Sequence, residues 1–153
     1  MKFKFSLEKL LVQRNIQVNM DRKNYLERKN AYDAELQKLE KMIEDKKQVF
    51  IDRNTKIAES SNWQNDVESM NTFLSGQDLR IAQQNKRLKE LEKEVEFLRQ
   101  ILLKSVTEAK IIERLKEKKK EEFKNKFFAG EQKELDEIVS MTFKNKPSLG
   151  LKE

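Results

Sequence analysis

The sequence predicts an all-α protein: a long two-helix antiparallel coiled-coil hairpin with a C-terminal helical overhang. Three observations carry that prediction. Between Leu74 and Leu115 apolar residues recur seven apart, at Leu74, Ile81, Leu88, Val95, Leu102 and Ala109. A second column follows three positions on, at Leu91, Leu98 and Ile112, with Ser105 filling one of its places. Alternating spacings of three and four put both columns on one narrow stripe of a helix, the surface a partner helix packs against. Charged residues make up 39% and mean hydropathy is −0.90, which suits a seam between helices better than a wide core. Only three Gly and one Pro occur in 153 residues, too few for a fold that must turn every ten residues or so.

The elements follow in order. Lys2 to Phe5 alternates basic and aromatic residues, and Ser6 is placed to cap a first helix by accepting from an unpaired backbone N–H. That helix is expected over about 7–59. One column is Leu11, Val18, Tyr25, Tyr32 and Leu39, and a second is Leu36, Ile43, Phe50 and Ile57. Asn15, Arg22 and Lys29 occupy the early places of the second column, so the seam is poorly apolar there. Ser60, Ser61 and Asn62 form the expected turn, about 60–62. Trp63 beside it either staples the tip or awaits a partner. A second helix is expected over about 63–128, with Gly76 a soft place or a close contact inside it. Gly130 is expected to interrupt, a short C-terminal helix to run over about 131–143, and residues 144–153, with Pro147 and Gly150, to form a flexible tail. All of this is one coiled-coil domain spanning 1–153.

A turn centred on Asn62 makes an antiparallel pairing testable, because facing positions must sum to about 122. Leu11 then meets Ile111 and Ile112, Tyr25 meets Phe97 and Leu98, Ile43 meets Leu79, and Phe50 meets Phe73. Those four pairings are apolar on apolar; the fifth, Ile57 with Asn65 and Asp66, is not. A parallel dimer is the competing arrangement. At 1.5 Å per residue, an arm of about 50 residues makes a rod of about 75 Å. Past Leu115 the second helix outruns the first, so its Phe123, Phe127 and Phe128 dock back, fray or meet another protein.

The chemistry is mostly exclusion. No Cys and no His removes disulfides, thiolate or imidazole zinc sites, Cys nucleophiles and the commonest neutral-pH base. The carboxylates lie beside Lys and Arg on helix surfaces, and the glycines are isolated, so neither acid–base catalysis nor a phosphate loop is expected. No enzyme, no cofactor and no metal is predicted. No apolar run reaches the ~20 residues that span a bilayer, and Glu8 and Lys9 interrupt the only leader-like stretch. The net charge of +6 comes from near-balanced signs. Its basic run, Lys116, Lys118, Lys119, Lys120, Lys124 and Lys126, is diluted by Glu117, Glu121 and Glu122. A solvated face or an acidic protein partner fits it better than nucleic acid, for which no docking motif is present.

The two ends resemble the FliJ family of flagellar type III export proteins. The start, KFKFSLEKLLVQRNIQ, is similar to that family's basic and aromatic opening with a leucine-rich first turn. The late segment, ERLKEKKKEEFKNKF followed by EQKELDEIVSMTF, resembles its C-terminal signature, and the SSNW turn is placed as the family places it. The resemblance implies a soluble, cytoplasmic, non-enzymatic coiled coil, held at the inner membrane only through partners. Those partners are the hexameric export ATPase (FliI-like), whose ring assembly and activity it promotes, the export-gate protein (FlhA-like), and export chaperones.

Carried over by position, the ATPase-binding residues are Phe3, Phe5, Leu7, Leu10, Leu11 and Arg14, with Lys118, Lys119, Glu122, Phe123, Glu131, Leu135 and Asp136. The gate-facing residues are Ile43, Phe50, Phe73 and Gln77. A scaffolding coiled coil, or the equivalent stalk of a virulence type III system, remains an alternative on the residues alone.

Overall fold

In a computed structural model the described residues are 2–59, 62 and 64–145. Two helices account for nearly all of them, α1 (Glu8–Glu59) and α2 (Gln64–Asn145). The chain is an all-α antiparallel hairpin, and no strand occurs among the described residues. Ser60, Ser61, Trp63 and residues 146–153, including Pro147 and Gly150, lie outside the described residues; Asn62 sits in a turn. The N–H of Leu11 donates to the carbonyl of Leu7 at 2.9 Å, the first helical bond of α1, and the N–H of Glu8 donates to the Phe5 carbonyl at 3.2 Å across the turn that holds Ser6 and Leu7.

Two compact units divide the chain: Ile16–Val106, and Met1–Asn15 with Thr107–Glu153. In the Ile16–Val106 unit, α2 presents the expected columns: Leu74, Ile81, Leu88, Val95 and Leu102 with Leu91, Leu98 and Ser105, all buried or half-buried. Val67 is buried in the same phase. From α1 come Val18, Tyr25, Tyr32 and Leu39. The helices face each other in the anticipated register. Lys56–Asp66 (2.6 Å) and Arg28–Glu94 (3.5 Å) pair at numbers summing to 122, and Lys46–Asp78 (2.5 Å) at 124. Exposed ion pairs contribute ~0–1 kcal/mol each; their value here is as markers of the pairing.

The second column of α1 differs from the expectation. Ile43, Phe50 and Ile57 stay 49%, 48% and 42% exposed, on the flank of the helix. Leu79 and Phe73, expected to face Ile43 and Phe50, are exposed as well. The inward column lies one residue earlier: Asp21, Glu35, Met42 and Val49, with Arg28 and Lys56 in the same phase reaching across to their acids. It is largely polar because its partners are polar. Gln84 Nε2 donates to the Glu35 carboxylate at 2.6 Å and to the Glu35 carbonyl at 2.8 Å. Gln77 Nε2 donates to the Met42 carbonyl at 2.9 Å, and Ser105 Oγ donates to Asp21 Oδ2. Buried polar groups are tolerated when each finds such a partner.

In the other unit, Leu11 and Ala109 are buried and Arg14 meets Glu108 at 2.6 Å. Lys116 meets Glu8 at 2.9 Å. From Lys124 to Asn145 every residue of α2 is exposed. The helix runs through Gly130 without the expected break, and Lys144 and Asn145, expected in the tail, are helical. Gly130 has no positive φ, and a Cβ there would meet nothing within 4 Å. One glycine costs ~1 kcal/mol in a helix interior, too little to stop a segment of strong helix formers on both sides. Gly76 is likewise helical, and a Cβ there would lie 3.4 Å from the tip of Arg80, a flexible group rather than backbone.

Gly130→Ala is therefore expected to stabilise the chain by up to about 1 kcal/mol, read as a rise in the thermal midpoint followed by helical circular dichroism. The Glu35 carboxyl is held below its ordinary value, first by the Gln84 hydrogen bond and then by Lys38. Its contribution to stability is present above pH 4.5, the ordinary glutamate value, and is lost as pH falls through the lowered one. The difference in thermal midpoint between the parent chain and Glu35→Gln should shrink as the solution is taken from about pH 6 to about pH 3. A difference that stays constant would show that this carboxylate does not set acid stability.

Candidate partner-binding site

The unit that joins the start of α1 to residues 107–145 carries all of the predicted ATPase-facing residues. Residues 2–5 are not helical, and the aromatic residues among them turn toward α2. The Phe3 and Phe123 rings lie 5.7 Å apart, centroid to centroid, tilted by 51°. Such offset contacts contribute ~0.5–1.5 kcal/mol beyond area burial. Phe3, Phe5, Phe123, Lys119 and Glu122 line one open notch of about 360 Å³, together with Lys4, Ser6 and Lys126. Lys119 leans toward Glu122 at 3.5 Å. Leu10 is half-buried and Leu11 fully so, while Arg14 is tied to Glu108, which makes these three parts of the helix pair. Leu7 is at the edge of exposure.

Further along α2, Glu131 and Leu135 share a shallow surface with Glu134 and Ile138, and Asp136 accepts from Gln132 at 3.0 Å. Lys118 is exposed. Phe127, Phe128, Ile138 and Val139 accompany Leu135 on this helix, all more than two-fifths exposed. The Phe127 and Phe128 rings meet edge to face at 6.1 Å. Exposed apolar rows of this kind are common features of surfaces that bind other proteins. Lys4, Lys126 and Ile138 were not among the residues expected to bind, although Lys126 stood in the basic run. The alternation Lys2-Phe3-Lys4-Phe5 already contained the signal for Lys4.

The predicted gate-facing residues lie in the Ile16–Val106 unit. Ile43, Phe50 and Phe73 are exposed, with Arg53 over the Phe50 ring at 4.9 Å and Arg80 over the Phe73 ring at 5.4 Å. Gln77 is 4% exposed: its amide nitrogen binds Met42, and its oxygen accepts from Arg80 at 2.8 Å. It supports the helix pair and offers no free polar group outward.

No group of three or more acidic residues suited to a metal ion occurs among the described residues, and none of their helices is long and apolar enough to cross a membrane. No match was found among curated proteins or among solved structures. The family model described as flagellar FliJ protein matches residues 3–148. With that match covering nearly the whole sequence, and with a helical hairpin beneath it, the chain belongs to the FliJ family, non-catalytic components of flagellar type III export.

Proposed function

We propose that the chain acts as a stalk for the flagellar export ATPase, promoting assembly and activity of its ring and coupling the ring to the export gate. The observation that supports this most directly is the unit holding both ends of the hairpin. It combines a tilted aromatic pair, a surplus of lysines and a row of largely exposed apolar residues. A surface of that composition is suited to a protein partner. ATP is hydrolysed by the partner; this chain supplies an asymmetric insert that makes chemically identical ring subunits non-equivalent. Phe3, Phe5, Lys118, Lys119, Glu122, Phe123, Glu131, Leu135 and Asp136 carry the contact, with Leu7, Leu10, Leu11 and Arg14 behind them. Ile43, Phe50 and Phe73 face the gate protein, and Gln77 keeps their helices in register. The chain works in the cytoplasm, held near the inner membrane through these partners, and it engages export chaperones there.

Mixing the purified chain with its cognate export ATPase is expected to raise both ring formation and ATP turnover, saturating at one chain per hexamer. Phe123→Ala combined with Phe127→Ala should abolish both effects while helicity is retained. No stimulation, with the chain dimeric by light scattering, would replace this reading with that of a scaffold.

A further inference from the structure

We infer that the notch between residues 3–6 and α2 receives an apolar side chain flanked by carboxylates, carried on the surface of the ATPase partner. The inference rests on the stalk reading above and specifies the chemistry of its contact. Three half-buried rings, Phe3, Phe5 and Phe123, make the floor of a hollow of about 360 Å³. A hollow of that volume is at the small end of binding sites, enough for an anchoring side chain and its neighbours. Around the rim stand Lys4, Lys119 and Lys126 against the single carboxylate of Glu122. Lys119 is turned toward Glu122, whereas Lys4 and Lys126 form no ion pair among the described residues. Two ammonium groups thus flank an apolar floor without an ion pair of their own, the one carboxylate of the rim being engaged by Lys119.

Apolar anchors seated at the centre of a contact supply most of its affinity, and charges at its rim supply encounter rate and selectivity. The occupant complementary to this arrangement is an acidic protein segment with one apolar anchor. A nucleic acid fits it less well. Phosphates tracking the lysines of α2 would also meet Glu117, Glu121 and Glu122, and the Phe3 and Phe123 rings are engaged with each other rather than offered as a stacking platform.

The test titrates the purified cognate ATPase into fluorescently labelled full-length chain. Lys4→Glu with Lys126→Glu is expected to weaken binding about tenfold or more. Phe3→Ala with Phe5→Ala, outside both helices and so expected to leave helicity unchanged, should weaken it to a similar degree. The parent affinity should fall as salt rises from about 0.05 to about 0.3 M. Circular dichroism of all variants should superimpose. Lys89→Glu with Lys93→Glu, exposed lysines of the other unit, should bind as the parent does. If the parent binds and the Lys4, Lys126 reversal binds equally well, the notch assignment fails while the stalk reading stands. Equal weakening in the Lys89, Lys93 control also overturns it, since general charge would then be the cause. Displacement of the ATPase by duplex DNA would overturn it in favour of nucleic acid. If the parent chain does not bind the ATPase at all, the stalk reading falls and the notch assignment with it.

Discussion

Register is the constraint on which the paired helices depend, and in the Ile16–Val106 unit polar groups set it. Leucine columns alone permit slippage by whole heptads, because one apolar layer resembles the next. Glu35 and Asp21 remove that freedom. Sliding α2 by seven residues in one direction sets Asp21 against Ile112 and Glu35 against Leu91; sliding it the other way sets Asp21 against Leu98. Each slip leaves a carboxylate without its donor, and an unsatisfied buried acceptor costs ~1–3 kcal/mol, more when charged. The Gln77 and Gln84 amides add a second restraint, since they bind main-chain carbonyls of Met42 and Glu35, fixed in height along the helix.

This arrangement explains which half of the seam could be read from the sequence. The α2 columns are apolar except at Gln77, Gln84 and Ser105, so their period declares itself and the inward face follows. The antiparallel register was legible too, from the position of one turn. In α1 the first column is apolar and was found. The second is Asp21, Arg28, Glu35, Met42, Val49 and Lys56, and a search for hydrophobic residues passes over it. That search settles one position later, on Ile43, Phe50 and Ile57, which are the most apolar residues nearby but lie on the flank. Polar residues that are buried because their partners are polar leave no trace in hydropathy. Gly130 misled for a different reason: a propensity penalty of about 1 kcal/mol is a local quantity, and the helix formers around it outweigh it.

In the candidate site, the rings were easier to read than the cations. Phe3 and Phe5 stand apart because they precede the periodic columns, whereas Lys4 and Lys126 are two of 33 basic residues and their placement beside the rings comes only from the fold. Leu11 and Arg14 show the converse. They belong to the same N-terminal segment, yet one is core and the other is spent on Glu108, so any influence they have on a partner acts through the helix pair.

Where polar and apolar residues are placed inverts the usual arrangement, for a physical reason. Glu35 and Asp21 are buried in the seam, and the hydrogen bonds from Gln84 and Ser105 hold them there. Polar residues can then serve specificity at modest expense to stability. The row Phe127, Phe128, Leu135, Ile138 and Val139 has the opposite logic: apart from the edge-to-face contact of Phe127 with Phe128, it stays largely in water. At about 25 cal/mol per Å² of apolar surface removed from water, covering such a row would contribute free energy on which the pairing of the two helices does not draw.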